Sequence, residues 1–278
     1  MRLLSAVCMI TMLLSFSSNA QVLEKLWETD TVFKVPESVL YSKQHGLLFV
    51  SNIEGTQPWG KDGAGSIGKM RTNGEIIQAE WIRGFDAPKG MALRGNTLIV
   101  ADLKTIKTVD IKKGKIIHTL EVEGAQTLND VTMDEKGIVF VSDSRGKRVY
   151  RIEQNKADVF IDSTHGLRGP NGLLVHKGSL YVLDAGTLYR VQSDKSLQKL
   201  ADGMEGGTDG IEAYSDDAFI VSCWGGVVYF VKTDGRKEKI LDTRKESINS
   251  ADIGYNAAEK TIYVPTFWKN KIIAYRIQ

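Results

Sequence analysis

Pro170-Asn171-Gly172-Leu173 is the stretch that decides the fold, because its pattern of a small or polar pair leading into an apolar strand returns along the whole chain. The other copies begin at residues 36, 88, 128, 208 and 250. The second residues of successive copies are separated by 52, 40, 42, 38 and 42 residues. An internal period of about 40 residues is typical of folds built from repeated structural units.

Each copy also contains the signals of further short strands. Second strands rich in β-branched and aromatic residues are predicted at 47–52, 97–102, 138–143, 179–184, 218–223 and 261–266. Third strands follow at 66–70, 106–110, 148–152, 187–191, 227–231 and 271–277, and fourth strands at 75–82, 115–122, 157–162, 196–201 and 237–242. Four strands at this period, with no amphipathic helical stretch between them, predict an all-β, six-bladed β-propeller.

The last copy ends at Gln278 after its third strand and therefore lacks a fourth. Residues 22–28 stand ahead of the first copy and have no other place in the pattern. We expect this N-terminal strand to complete the last blade, because that pairing closes the ring and covers two strand edges.

Residues 1–20 differ in composition from the rest of the chain. Arg2 precedes an apolar run at 3–16, and Ser18-Asn19-Ala20 provides a small-x-small cleavage site. This arrangement predicts a secretory signal peptide, since the apolar run is too short for a membrane anchor. The mature chain, 21–278, is then expected to be one propeller domain, monomeric and periplasmic or secreted.

The charge and cysteine content limit the partners of the mature chain. The net charge is +2 and no basic patch is present, which argues against nucleic acid as a partner. No segment after the signal peptide predicts a membrane contact. Cys223 is the only cysteine after residue 20, so an internal disulfide is excluded.

The second residues of the six copies should face one another, because the first strand of each propeller blade lines the central channel. These ring residues are Glu37, Lys89, Asn129, Asn171, Asp209 and Ala251. Carboxylate and amide oxygens on one axis are the ligands of a hard cation such as calcium. Taken singly, Asn-Gly and Asp-Gly pairs are also ordinary turn chemistry. The four histidines show no ligand spacing, which disfavours a nitrogen-rich metal site.

The register of the ring is carried by Pro36-Glu37, Leu128-Asn129-Asp130, Gly169-Pro170-Asn171-Gly172 and Thr208-Asp209-Gly210. It resembles that of the regucalcin/gluconolactonase family over the whole mature chain, although such short motifs also occur in strictosidine-synthase-like and paraoxonase propellers. The resemblance implies a divalent cation held by Glu37, Asn171 and Asp209, with Asn129 beside metal and substrate. Calcium is the expected ion, with zinc and magnesium as alternatives. The implied activity is hydrolysis of sugar lactones or related esters, with Asp209 as general base.

Two positions depart from the family pattern. Lys89 adds a cation to the ring, where it would repel a metal, swing aside or hold an anionic substrate. Thr127 replaces an arginine that some family members use for substrate. These departures weigh against sugar-lactone specificity more than against metal binding. The leading alternative is a non-catalytic propeller that binds a sugar, a peptide or a protein through the same face. A strictosidine-synthase-like enzyme or a propeller lyase ranks third, and the lyase would call for a catalytic histidine near the channel, where no ring position holds one.

Loops after the second strands should share a face with the ring. The longest, 53–65, carries Trp59, which is expected either to stack on a ligand or to belong to a flexible surface loop. Trp224 stands in an equivalent loop and is expected either to wall a pocket or to pack between blades. Three aspartates end second strands at one repeated position and are expected to cap the turn that follows; they are Asp102, Asp143 and Asp184.

Overall fold

The computed structural model describes residues 23–55 and 57–278, which form six four-stranded antiparallel sheets arranged as the blades of a propeller. The predicted all-β fold with six blades is confirmed. The signal peptide predicted at 1–20 lies outside the described residues. Within the described residues there are only two short 3-10 helices, at Ser163–His165 and Phe267–Lys269. No helix in this part of the chain has the length and apolar character needed to span a bilayer.

The strands are β1 (Leu23–Glu28), β2 (Pro36–Ser42), β3 (Leu47–Asn52), β4 (Gly65–Arg71), β5 (Ile76–Phe85), β6 (Pro88–Arg94), β7 (Thr97–Asp102), β8 (Thr105–Asp110), β9 (Lys115–Glu121), β10 (Leu128–Met133), β11 (Val139–Asp143) and β12 (Arg148–Glu153). They continue with β13 (Lys156–Ile161), β14 (Pro170–His176), β15 (Ser179–Asp184), β16 (Thr187–Val191), β17 (Leu197–Ala201), β18 (Thr208–Ala213), β19 (Ala218–Cys223), β20 (Val227–Lys232), β21 (Lys237–Asp242), β22 (Gly254–Asn256), β23 (Thr261–Pro265) and β24 (Ile272–Ile277). Blades 1 to 5 each use four consecutive strands, beginning with β2, β6, β10, β14 and β18.

The sixth blade is completed from the N-terminal side of the chain. Its strand order is β1-β24-β23-β22, and β1 runs antiparallel to β24 with Leu23 opposite Ile277 and Trp27 opposite Ala274. The predicted closure is therefore confirmed from Leu23 onwards. The pairing covers the edge that β24 would otherwise expose.

The apolar core lies between the blades. Second strands such as β3 (LLFVSN) and β15 (SLYVLD) are buried along nearly their whole length, because neighbouring blades cover both of their faces. Across one such contact, the rings of Tyr181 in blade 4 and Phe219 in blade 5 have centroids 4.7 Å apart. Fourth strands such as β9 are mostly solvent-exposed or half-buried. The packing between blades fixes the inner strand ends, where the polar residues are concentrated.

The first strand of blade 6 differs from the expected pattern. It begins at Gly254, four residues later than the repeat that starts at Ser250 predicts. The intervening backbone bonds elsewhere, since the Ala251 amide donates to Pro265 O and the Asp252 amide donates to Glu37 O. The chain therefore joins blade 6 to blade 1 before it enters the regular ladder.

Candidate functional site at the mouth of the channel

A β-bulge lies at the inner end of each first strand in blades 2 to 5. In β6, Pro88 pairs with Asp102 but the next pair is Met91 with Val100, so two residues oppose one. The same shift occurs in β10, β14 and β18, and a shift also follows Pro36 in β2. A bulge releases a residue from the ladder and re-aims its side chain. The ring residues therefore stand where the backbone turns them out of the sheet.

Serines satisfy backbone amides that the bulges release. In blades 1, 3 and 5, a second-strand serine hydroxyl accepts from the amide of the residue that follows the ring residue, at 2.8–2.9 Å. These serines are Ser51, Ser142 and Ser222. A buried amide without a partner would cost about 1–3 kcal/mol. The serine hydroxyls thus offset this penalty and stabilise the bulged conformation in a buried position.

The repeated aspartates hold the segment that leads into each first strand. Asp102 accepts from the amides of Asp86 and Ala87, and Asp143 and Asp184 accept from the corresponding amides of their own blades. The expectation that they cap the following turn is wrong except at Asp143, which also accepts from the Gly146 amide at 2.9 Å. The aspartates fix the approach to the ring, so their role is structural.

All seven residues predicted for the site line one cavity of about 360 Å³. They are Glu37, Trp59, Lys89, Asn129, Asn171, Asp209 and Trp224, and Pro58, Gly207, Phe267 and Trp268 complete the lining. The sixth ring residue, Ala251, is not part of the lining and packs in an apolar cluster with Val35 and Phe267. The structure brings the predicted residues together, while their individual roles remain predictions.

Two buried oxygens in this cavity have no hydrogen-bond donor among the described residues. Asn171 Nδ2 donates to Asp209 Oδ1 at 2.9 Å, and this leaves Asn171 Oδ1 without a partner. Glu37 Oε2 is likewise unpartnered, although Glu37 is buried. Unpartnered buried oxygens beside a carboxylate suit a hard cation, so the predicted ligand set fits a divalent metal. Among the described residues no three His, Cys, Asp or Glu side chains are placed to hold an ion, and an amide ligand would therefore be needed.

Burial dominates the electrostatics of the ring. It raises the pKa of Glu37 from 4.5 to about 8, with the Lys89 ammonium opposing and Asp252 adding to the shift. The pKa of Asp209 is raised well above its usual value by burial first, then by Glu37 and Asp252. Burial lowers the pKa of Lys89, although the carboxylates of Glu37 and Asp209 oppose this shift. Burial thus favours the neutral form of Glu37, Asp209 and Lys89. A bound ion of opposite charge would shift the pKa of each group back toward its charged form.

Lys89 and the loop that carries Trp59 meet over the ring. Lys89 Nζ donates to Pro58 O at 3.1 Å and lies 4.2 Å from the centre of the Trp59 ring. Opposite them, Phe267 packs edge-to-face on Trp224 and on Trp268, with centroids 5.6 and 4.8 Å apart. Trp59, Trp224 and Trp268 remain 42%, 41% and 47% exposed. The mouth of the cavity is thus an aromatic rim around a polar floor.

A second layer of acids lies deeper in the channel and was not predicted. Asp130 accepts from the amides of Val131 and Leu173, both at 2.6 Å, which ties blade 3 to blade 4. Asp252 accepts from Ser38 Oγ at 2.6 Å, which ties blade 6 to blade 1. Both line a separate cavity of about 190 Å³. Each aspartate directly follows a ring residue in the sequence, and this position could have predicted that it lies in the channel. The sequence does not reveal its hydrogen-bond partners.

Comparison with known proteins supports the fold and nothing finer. No protein-family model and no curated protein matches the chain. A crystallised, catalytically inactive variant of virginiamycin B lyase from Staphylococcus aureus, with quinupristin, is 14% identical over 93% of this chain and 100% of its own, with a TM-score of 0.65. A proposed gluconolactonase is 15% identical over 94% of this chain and 93% of its own, with a TM-score of 0.69.

A chain of a nidogen/laminin complex is 16% identical over 80% of this chain and 84% of its own, with a TM-score of 0.65. At such low identities a structural likeness shows the fold alone. The regucalcin/gluconolactonase resemblance therefore continues to rest on the ring motifs.

Proposed function

We propose that this protein is a metal-dependent hydrolase of lactones or related esters, similar to gluconolactonases. The observation that supports this most directly is the pair of unpartnered buried oxygens, Glu37 Oε2 and Asn171 Oδ1, next to the Asp209 carboxylate. Together these side chains would hold one divalent cation. Their oxygen-only chemistry favours calcium, with zinc and magnesium as alternatives.

A cation bound here would supply Lewis-acid polarisation of the scissile carbonyl. The chain's own residues supply the remaining requirements. Asp209 would accept a proton from the attacking water, since its carboxylate lines the cavity in which the substrate would bind. Asn129 lines the same cavity and would orient the substrate, while Trp59 and Trp224 would stack on its ring or acyl face.

We further propose that the protein acts as a monomer after export to the periplasm or the medium. The signal pattern at 1–20 supports export. The cavity fits small molecules, since about 360 Å³ lies within the range of ligand pockets.

The decisive experiment combines metal analysis with a panel of lactones and esters, assayed with and without chelator. The purified protein should contain a divalent metal, and hydrolysis should disappear with chelator and return when metal is added. Asp209→Asn keeps an acceptor for Asn171 but removes the base, so kcat should fall by at least about 10²-fold even in excess metal. Asp202→Asn, a surface substitution, should leave kcat unchanged.

A binding protein without catalysis is the second candidate, and the three exposed tryptophans at the cavity mouth favour it. It predicts that ligands quench tryptophan fluorescence while none of the lactones or esters is hydrolysed above background. That result with metal-loaded protein would refute the hydrolase proposal and leave binding as the function of the site.

A further inference from the structure

Lys89 is the one cation among the six ring residues, and its side chain lies inside the candidate site. The residue is only 1% exposed, and its Nζ is held between Pro58 O, at 3.1 Å, and the face of Trp59, at 4.2 Å from the ring centre. A lysine that merely passed through the channel wall to solvent would be exposed at its tip. This ammonium instead forms part of the cavity lining.

No carboxylate lies within salt-bridge distance of Lys89 Nζ among the described residues, although other lysines of the chain make such pairs. Glu37, Asp209 and Asp102 act on it only through longer-range attraction. An ammonium has three donors, and within the described part of the chain one is used, by Pro58 O. No further acceptor for this ammonium is found among the described residues, and Lys89 lines the cavity in which a ligand would bind.

The charge balance changes when the proposed metal binds. A divalent cation would neutralise the carboxylates of Glu37 and Asp209, and the Lys89 ammonium would then keep only the longer-range attraction of Asp102, which lies outside the ring. Arg145 adds a second cation at the rim, with its guanidinium carbon 5.3 Å from the centre of the Trp59 ring. A buried charge without a partner is costly. A ligand that brings one negative charge removes that cost, whereas a neutral ligand of the same shape does not.

We propose that the site selects anionic substrates, namely esters or lactones that carry a free carboxylate in addition to the scissile acyl group, and that Lys89 Nζ binds this carboxylate against the face of Trp59. The inference rests on the proposed hydrolase function and specifies its substrate class. Lys89 determines specificity and takes no part in bond cleavage. Its loss should therefore raise KM for anionic substrates and leave kcat nearly unchanged.

The test uses pairs of probes that differ by one charge and little in shape. Binding of 4-hydroxybenzoate and 4-hydroxybenzamide to metal-loaded protein is measured by calorimetry, and hydrolysis of 4-acetoxybenzoate and 4-acetoxybenzamide is measured in parallel. The variant is Lys89→Met, which keeps the length of the side chain without its charge, and Lys89→Gln is the alternative should Met disturb folding. Lys69→Met is the matched control, because Lys69 Nζ also stands over a tryptophan, 4.6 Å from the Trp81 ring centre, but away from the cavity.

We expect the wild type and Lys69→Met to prefer the carboxylate probe, and Lys89→Met or Lys89→Gln to lose at least tenfold of that preference, as for a hydrogen bond to a charged group. Metal stoichiometry should be the same in all four proteins. A smaller loss of preference in folded, metal-loaded variants would overturn the role of Lys89 while leaving the hydrolase proposal intact. A wild type that binds no metal would refute the proposed function, and the charge argument with it.

Discussion

Replacing Glu212 by Gln should make the metal-free protein more stable at alkaline pH, although it removes a charged group from a polar channel. Glu212 follows Asp209 on β18 and faces the deeper cavity together with Asp252. Burial, with a further contribution from the Asp252 carboxylate, raises the pKa of Glu212 from 4.5 to about 8, and the Tyr255 backbone opposes the shift.

The direction of the effect follows from the proton that the folded protein retains. Between pH 4.5 and about pH 8 the folded state holds a proton on Glu212 that the unfolded chain has released. The stability this provides is complete below pH 4.5 and is lost as the pH rises through 8. The full difference in pKa would correspond to about 5 kcal/mol, and partial exposure of the side chain reduces it to roughly 2–3 kcal/mol. Glu212→Gln mimics the protonated form at every pH.

Urea unfolding in chelator at pH 5 and pH 9 measures this difference. The variant and the wild type should be about equally stable at pH 5, and at pH 9 the variant should be the more stable protein by roughly 2–3 kcal/mol. Asp130 and Asp252 also have raised pKa values and leave part of the pH dependence in both proteins. Glu135→Gln, at an exposed position, should behave as wild type. If Glu212→Gln loses as much stability as wild type between pH 5 and 9, Glu212 is ionised in the folded protein and the reasoning fails.

Two further predictions concern the scaffold that positions the site. Deletion of residues 23–28 should lower Tm, because it exposes the edge of β24 and removes the Trp27 indole. Nε1 of this indole donates to Thr72 O at 3.2 Å. An unchanged Tm would contradict the closure of the ring by β1. Gly172→Ala would place a Cβ against the backbone of Asp209, so it should cost about 1–3 kcal/mol of unfolding free energy and weaken metal binding in a titration. Gly206→Ala is the control, since nothing lies within 4 Å of its added Cβ, and equal effects of the two substitutions would argue against a specific contact at Gly172.

The strand starts at Pro36, Pro88, Leu128, Pro170 and Thr208 could be predicted from the sequence because turn chemistry and an apolar strand coincide there. Blade 6 was predicted less well. Its repeat has Asp252 where three of the other copies have glycine. The amides at this junction bond to Glu37 O and Pro265 O, and partners so far away in sequence leave no local signal.

The composition of the cavity follows from the repeat register, whereas its hydrogen bonds do not. Asn129 and Asp130 are adjacent oxygen-bearing residues in a channel-facing strand, yet only Asn129 lines the mouth. Both carboxylate oxygens of Asp130 instead accept hydrogen bonds, Oδ1 from the Val131 amide and Oδ2 from the Leu173 amide. The hydrogen bond from Asn171 Nδ2 to Asp209 Oδ1 also could not be predicted from the sequence, although it orients the amide and leaves Asn171 Oδ1 for a cation.

Lys89 bears on both proposals for the site, because it lies among the residues that would hold the cation. The Lys89 ammonium opposes the rise that burial causes in the pKa of Glu37 and of Asp209. The pairing of β1 with β24 and the apolar packing between blades 4 and 5 lie outside the ring residues. If an ion binds the carboxylates as proposed, the same ammonium would be left to a ligand. Both proposals, a cation on the ring carboxylates and an anionic substrate, therefore make testable demands on the same lysine.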